Sequence, residues 1–249
     1  MSEPSISKLA EIIKASKNTA FFGGAGVSTE SNIPDFRSES GLYAAQEIYG
    51  ASPEELLSRR CYDRKPELFF RYYKENLIYL DAKPNPAHIA LAKMERSGLL
   101  SAIITQNVDG LHQTAGSKTV YELHGTNARH YCALCRKVYD LDYVLDPANC
   151  DNFVPKCGTC GGIVRPDVVL YGETLNWDIV QAAADAIAAA DCLIVGGTSL
   201  VVYPAAGLIQ YFGGSNMVLI NKSDTPYDGY ADLVINESIG AVLSEVFGN

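Results

Sequence analysis

The chain has 249 residues, of which 47% are hydrophobic and 20% charged, the ordinary proportions of a globular protein. No stretch approaches the roughly 20 apolar residues of a membrane span, and Met1–Ser7 lacks the basic region and apolar run of a secretion signal. The expected location is therefore cytoplasmic. A formal net charge of −9 argues against broad attachment to nucleic acid or an acidic membrane, while tolerating basic partners.

Ile6, Leu9, Ile12 and Ile13 recur at helical spacing and predict an amphipathic helix over 5–17. Thr19–Gly23 is a short apolar run ending in glycine, read as a buried strand, and Gly24–Ser28 then turns the chain into a further helix. Strand, glycine turn, helix is the opening of a nucleotide-binding unit. Residues 37–84 break that rhythm with helix-like stretches at Pro53–Arg59 and Pro66–Leu80 and a run of aromatics from Tyr62 to Tyr79. Leu99–Thr105 reads as a second strand, ending at Gln106-Asn107-Val108-Asp109. Another short apolar run leads to His124 in Tyr121–Gly125, and residues 126–162 show little periodicity. An alanine-rich helix at Trp177–Ala190 precedes a strand at Asp191–Gly196, which ends at Gly197-Thr198-Ser199. Pro204 can start a helix through Phe212, and Met217–Ile220 and Asp232–Ile235 are further strands, the first ending at Asn221.

Strands alternating with helices predict an α/β fold: a Rossmann-type parallel sheet with helices on both faces and a ligand crevice at its carboxyl edge. Residues 1–36, 85–125 and 163–249 are expected to build that domain. The helical insertion 37–84 and the segment 126–162 would form a smaller domain over the crevice.

The most specific chemical signal is Cys132, Cys135, Cys157 and Cys160, spaced C-x2-C-x21-C-x2-C. Four thiolates close a tetrahedral zinc site with no open position, so one structural zinc is expected per chain. An odd count of seven cysteines without an export signal fits a metal site better than disulfides. Cys150 and His130 lie nearby as spectators. The glycine turn at 23–28 departs from a dehydrogenase fingerprint, because Thr29 stands where a third glycine belongs and Ser31–Arg37 is not a strand. A phosphate at this turn is compatible with the sequence, as is a purely structural turn. The Gln106–Asp109 cluster could bind ribose hydroxyls and an amide. His124, flanked by glycine at a strand edge, is placed to act as a general base near neutral pH. His88 and His112 sit in helical contexts and are weaker candidates.

In chain order, Gly24–Ser28 with Ile33–Arg37, Thr105–Asp109, Glu122–Gly125, the four cysteines, Arg165–Glu173 and Gly197–Ser199 resemble the sirtuin family over roughly residues 6–247. The resemblance implies NAD consumed as a co-substrate. Ala25, Ser28 and Thr29 would line the phosphates, Phe36 would shield the reactive ribose carbon and Arg37 would face the diphosphate. Gln106 would hold the nicotinamide ribose, and Asn107, Val108 and Asp109 would form the nicotinamide pocket. Thr198, Ser199, Asn221 and Ile239 would hold the adenosine half. His124 would be the base, with Asn107 as the second catalytic residue. An acetyl-lysine peptide would add as a strand beside Val168, Val169, Tyr171, Gly172 and Glu173. The implied activity is NAD-dependent removal of acetyl groups from protein lysines, yielding nicotinamide (also an inhibitor), free lysine and O-acetyl-ADP-ribose. One departure stands out: Asn32 occupies a position where the family usually has glycine, so a positive φ is expected there. Members that remove acidic acyl groups carry a tyrosine and an arginine at positions matching Phe70 and Tyr73, so a short neutral acyl group is expected here. Two other readings share the scaffold: an ADP-ribosyltransferase with another acceptor, and a non-catalytic zinc and NAD-binding sensor. A sensor has no need of the set Asn107, Asp109 and His124.

Overall fold

A computed structural model describes residues 3–35 and 39–247. The strands are β1 (Thr19–Gly23), β2 (Leu100–Thr105), β3 (Val120–Glu122), β4 (Gly125–Cys132), β5 (Val138–Tyr139), β6 (Cys150–Asp151), β7 (Val154–Pro155), β8 (Val164–Val168), β9 (Cys192–Gly196), β10 (Asn216–Ile220) and β11 (Leu233–Ile235). The helices are α1 (Glu3–Ala15), α2 (Glu39–Tyr49), α3 (Pro53–Leu56), α4 (Arg59–Arg64), α5 (Pro66–Asn76), α6 (Pro86–Arg96), α7 (Leu111–Thr114), α8 (Leu141–Leu145), α9 (Trp177–Ala189) and α10 (Ile239–Phe247). Among the described residues no helix is long and apolar enough to cross a membrane.

The main sheet runs β11-β10-β9-β1-β2-β3, every pair parallel. Its central strands β1 and β9 are buried along their whole length because both faces of the sheet are covered. Phe21, Ile103 and Ile194 face α1, α6 and α10 in one core, while Phe22, Ile104 and Val195 face α9 and the 205–211 turn in the other. From β1 the chain builds outward through β2 and β3, then returns to the opposite side of β1 with β9. That reversal makes the carboxyl ends of β1, β2 and β9 the place where a ligand fits.

The small domain is also built from both insertions. Leu56, Tyr62, Phe69, Phe70 and Tyr73 of the helical part share a core with Val154 and Leu170. A three-stranded antiparallel sheet, β5-β4-β8, carries the rest. Strand β8, which the sequence boundaries placed with the large domain, pairs with β4 instead.

Several predicted elements change form. The glycine turn leads into two 3-10 turns, Ala25–Val27 and Thr29–Ser31, rather than an α-helix. The helix expected from Pro204 is also 3-10, over Ala205–Tyr211. Pro53–Arg59 divides at Ser58, which caps α4 by accepting the Cys61 N–H, and α5 stops at Asn76. Asn32 has φ 61°, the left-handed conformation expected for a glycine substitute.

Two histidines lie in the core beside the crevice. The rings of His88 and His112 meet at 4.8 Å, and both side chains are buried. Burial pushes His88 down to about 4, against a partial upward pull from Asp109 and Glu30, and burial with the neighbouring His88 pushes His112 to about 3. Both are neutral in the fold, whereas an unfolded histidine titrates near ~6.5. Their contribution to stability is thus present above about pH 6.5 and lost as pH falls through about 4 for His88 and about 3 for His112, on the order of a few kcal/mol. The melting temperature should fall across that window, and His112→Leu should flatten the fall. Calorimetry at stepped pH checks this; an acid limb unchanged by the substitution removes the assignment.

Candidate active site

The crevice is set by strand register. Gly23 lies level with Thr105 on one side and Gly196 on the other, so three loops leave the sheet at one height. The Gly26 N–H donates to Gly197 O at 2.8 Å. A Cβ on Gly26 would sit 2.8 Å from Gly197 Cα, so the two loops can meet only through glycine. These loops and the small domain enclose a cavity of about 590 Å³.

Ala25, Ser28, Gln106, Asn107, Val108, Asp109 and His124 all line this cavity. Asn107 Nδ2 donates to Gly24 O at 3.0 Å and to Ser28 Oγ at 3.1 Å, and Ser28 Oγ donates to Asp109 Oδ2 at 2.7 Å. The remaining Asp109 oxygen accepts the Leu111 N–H at 2.9 Å. Both amide hydrogens of Asn107 are thereby committed inside the protein, which leaves its Oδ1 to face a ligand. His124 Nδ1 lies 2.9 Å from Gln106 O. A carbonyl only accepts, so Nδ1 carries the hydrogen and Nε2 is the basic nitrogen.

The opposite wall is Val168–Glu173. The Val169 N–H donates to His124 O at 2.9 Å, which fixes this wall relative to the histidine. Tyr171 is tied to the helical insertion through Leu57 O and the Arg59 N–H, at 3.1 and 2.9 Å. Glu173, expected as a substrate contact, spends its carboxylate inside the protein. Arg165 grips it at 2.7 and 2.9 Å, and Glu173 Oε2 also accepts the Leu170 N–H at 2.9 Å. Burial pushes the Glu173 carboxyl up, but Arg165, the Leu170 N–H and Arg59 together hold it below its ordinary value. Arg165 also donates to Val168 O at 3.0 Å, so one buried guanidinium shapes both ends of the wall. Sequence reasoning quoted Arg165 only as part of a motif; its burial and partner were not legible.

The residues expected on the adenosine side lie at the same sheet edge but beyond the cavity. Thr198 Oγ1 accepts from Gln106 Nε2 at 3.1 Å, Ser199 is exposed, and Asn221 Nδ2 donates to Ser223 O at 2.8 Å. Thr29 Oγ1 donates back to Gly26 O at 3.0 Å. Ile239 is buried at the start of α10, in the space that the missing side chain of Gly196 leaves. Phe36 and Arg37 lie outside the described residues.

Of the two positions expected at an acyl pocket, only Tyr73 reaches the cavity; Phe70 packs in the helical core. Tyr73 Oη donates to Asn127 Oδ1 at 3.1 Å and lies 2.9 Å from His130 Nε2, which must then be the donor. Asn127 also lines the cavity and was not anticipated; nothing in its neighbourhood signals the role before β4 is folded. Arg71 is engaged with Glu75 at 3.3 Å and Lys74 with Cys150 Sγ at 3.2 Å. Among the described residues the cavity lining holds no lysine or arginine.

In the small domain, the sulfurs of Cys132, Cys135, Cys157 and Cys160 all lie within 4.8 Å of one another. A tetrahedron of zinc–sulfur bonds has edges of roughly 3.8 Å, and Cys132–Cys160 and Cys135–Cys157 stand at 3.5 and 3.6 Å. The Cys135 and Thr159 N–H groups point at Cys132 and Cys157 sulfurs, at 3.5 and 3.4 Å, as thiolates require. Donor set and spacing fit one zinc, held away from the cavity as a structural ion.

The Sir2 family model matches residues 24–204. An NAD-dependent protein deacetylase of Clostridium perfringens is 60% identical over 242 residues, covering 97% of this chain and 98% of that protein. One of Staphylococcus epidermidis is 46% identical over 246 residues, covering 99% and 98%. Among solved structures, a Sir2 with a p53 peptide and NAD+ aligns at TM-score 0.86 and 38% identity, covering 98% of this chain and 97% of that one. A Sir2 bound to acetylated peptide aligns at 0.86 and 36% identity with the same coverage.

Metal analysis should find one zinc per chain. Four thiolates hold zinc with an apparent free energy on the order of 10 kcal/mol, which is local folding energy. Chelation should therefore disorder residues 126–162 while the six-stranded sheet persists. Hydrogen exchange resolves the two regions; loss of protection in β1 and β9 together with the zinc module would contradict the separation.

Proposed function

Because this chain belongs to the Sir2 family, the sirtuins, we propose that it is an NAD-dependent protein-lysine deacetylase, an acyltransferase to ADP-ribose. The observation that carries this reading is the meeting, in one cavity, of a tautomer-fixed histidine with the Asn107–Ser28–Asp109 network and an extended substrate wall. Bound NAD supplies the nicotinamide leaving group and the ADP-ribose acceptor, and the products are nicotinamide, free lysine and O-acetyl-ADP-ribose. Its substrates are acetyl-lysine-bearing proteins or peptides. We assign the enzyme to the cytoplasm, a reducing compartment that suits its free thiols.

The residues divide the work. Asp109 and the Oδ1 of Asn107 orient the nicotinamide end, converting binding energy into position at the reacting carbon. Ser28 holds those two groups in register through its own hydroxyl. Ala25 and Thr29 approach the phosphates, and Thr198 and Asn221 the adenosine half. His124 Nε2 removes a proton from a ribose hydroxyl, while Nδ1–H on Gln106 O steadies the ring as charge develops. The peptide backbone adds along Val168–Gly172 by β-augmentation.

His124→Ala should lower turnover by roughly 10²- to 10⁴-fold, the usual cost of removing a general base, with the fold intact. Mass spectrometry of the product separates the acetyl-transfer route from an ADP-ribosyltransferase: O-acetyl-ADP-ribose against ADP-ribosylated protein. Wild-type rates in a folded His124→Ala variant would remove the base assignment.

The lining also predicts acyl choice. Its charged side chains among the described residues are the carboxylates of Asp109 and Glu173. An acidic acyl group would enter with no paired cation, at a cost of several kcal/mol. Acetyl-lysine should therefore be removed at least ~10-fold more efficiently than succinyl-lysine, judged by kcat/KM. Equal efficiency on matched peptides would show that a cation reaches the pocket.

A further inference from the structure

Asn85 is a buried residue outside every role assigned above, and its side chain joins two segments far apart in sequence. It stands in Pro84-Asn85-Pro86, where the following proline keeps it extended, with φ −92° and ψ 178°, ahead of α6. Its Oδ1 caps that helix by accepting the Ala87 N–H at 2.9 Å and the His88 N–H at 3.4 Å. Its own N–H donates to His88 Nδ1 at 3.3 Å, closing a reciprocal cap. Capping needs only the oxygen, and aspartate or serine would do it equally well.

The other half of the amide points the opposite way. Asn85 Nδ2 donates to Val27 O at 2.7 Å and to Ser31 Oγ at 3.0 Å. These partners are the last residues of the two 3-10 turns, Ala25–Val27 and Thr29–Ser31, and they bracket Ser28–Glu30. Since Val27 O can only accept and the Ala87 N–H can only donate, the amide has one possible orientation. Val27 is joined directly to Ser28, whose hydroxyl contacts both Asn107 and Asp109. The remote end of the loop is fixed by Glu30 Oε1, which accepts the Gly240 N–H at 3.1 Å. Asn107 holds this loop at Gly24 O and Ser28 Oγ, and Asn85 holds it at Val27 O and Ser31 Oγ; only an amide of this length both caps α6 and donates to Val27.

We propose that Asn85 is a positioning residue for NAD: its Nδ2 presets the Gly24–Asn32 loop, and its Oδ1 anchors that preset to α6. The inference rests on the reading of this loop as part of the NAD site. It predicts a defect confined to NAD, because the acetyl-peptide wall at Val168–Gly172 hangs from Arg165 and His124 instead.

The test separates the two halves of the amide. Asn85→Asp keeps the cap and replaces the donor by an acceptor facing Val27 O. Asn85→Ser keeps a cap without a buried charge and is too short to reach Val27. Titration calorimetry of the full chain with NAD alone, and separately with an acetyl-lysine peptide alone, reads each site without turnover. Both variants should melt cooperatively and bind NAD about tenfold or more weakly, as expected for a lost buried donor, while peptide affinity stays within about twofold. Unchanged NAD affinity in both variants would overturn the proposal, as would equal losses of NAD and peptide binding, which would mark Asn85 as structural only. A wild type that binds no NAD would overturn both this proposal and the functional reading. One that binds NAD yet releases no deacetylated peptide, with the variants weakened as expected, would sink only the latter.

Discussion

The structure depends on one close approach between backbones, that of Gly26 to Gly197 where β1 and β9 end side by side. With an N–H···O distance of 2.8 Å and no room for a Cβ, these loops must be built from glycine, and they must part immediately afterwards. One turns into the 3-10 turns that present Ser28, the other toward Thr198. Because β2 ends at the same height, Gln106–Asp109 arrives between them. A shift of one residue in any of these strands would send their side chains to the opposite face and separate Asn107 from Ser28.

The second domain complements that constraint. The large domain alone provides a flat sheet edge with one histidine at its margin. The wall that faces His124 comes from β8 and its continuation, which pair with β4 directly after the histidine. Thus His124 and the opposite wall flank one strand pair, His124 just before β4 and Val169 just after β8, joined by the Val169 N–H to His124 O bond. The four cysteines stabilise the far end of that same pair, since Cys132 closes β4 and pairs with Val164. The candidate zinc site and the crevice are thus linked through the β4–β8 pair.

Much of this was legible before folding, where a local rule suffices. Strands covered on both faces are apolar without interruption, so β1, β2, β9, β10 and β11 were found within a residue or so. Cysteine spacing encodes a tetrahedron directly. Asn32 was legible because few residues other than glycine accept φ near 61°. What stayed hidden depends on contacts between distant segments. A short apolar run before His124 was visible, but not that β3 lies parallel beside β2 at the end of the sheet. The zinc-domain strands are short pairs whose pattern means little until they meet. Glu173 reads as an exposed acid in a motif, and only the fold brings Arg165 back to it. Tyr73 and Phe70 lie three apart on α5, yet only one faces the cavity, a difference of helix rotation that an ungapped count from Pro84 could not resolve.

The histidines show how burial selects chemistry. Four are present, and from sequence His88 and His112 sat in helical contexts, whereas His124 stood at a strand edge beside Gly125 and within a family motif. In the fold His88, His112 and His130 are all buried, with burial pushing them to about 4, 3 and 4. Groups so displaced stay neutral near pH 7 and have lost their value as bases there, because a general base works best when its affinity for protons matches its surroundings. None of the three lines the cavity. His130 is instead a hydrogen-bond donor to Tyr73 through Nε2, and burial keeps its ring neutral. His124 is the one that lines the cavity and keeps its Nε2 as the basic atom, so a choice among four identical side chains is made by the sheet edge on which each is placed.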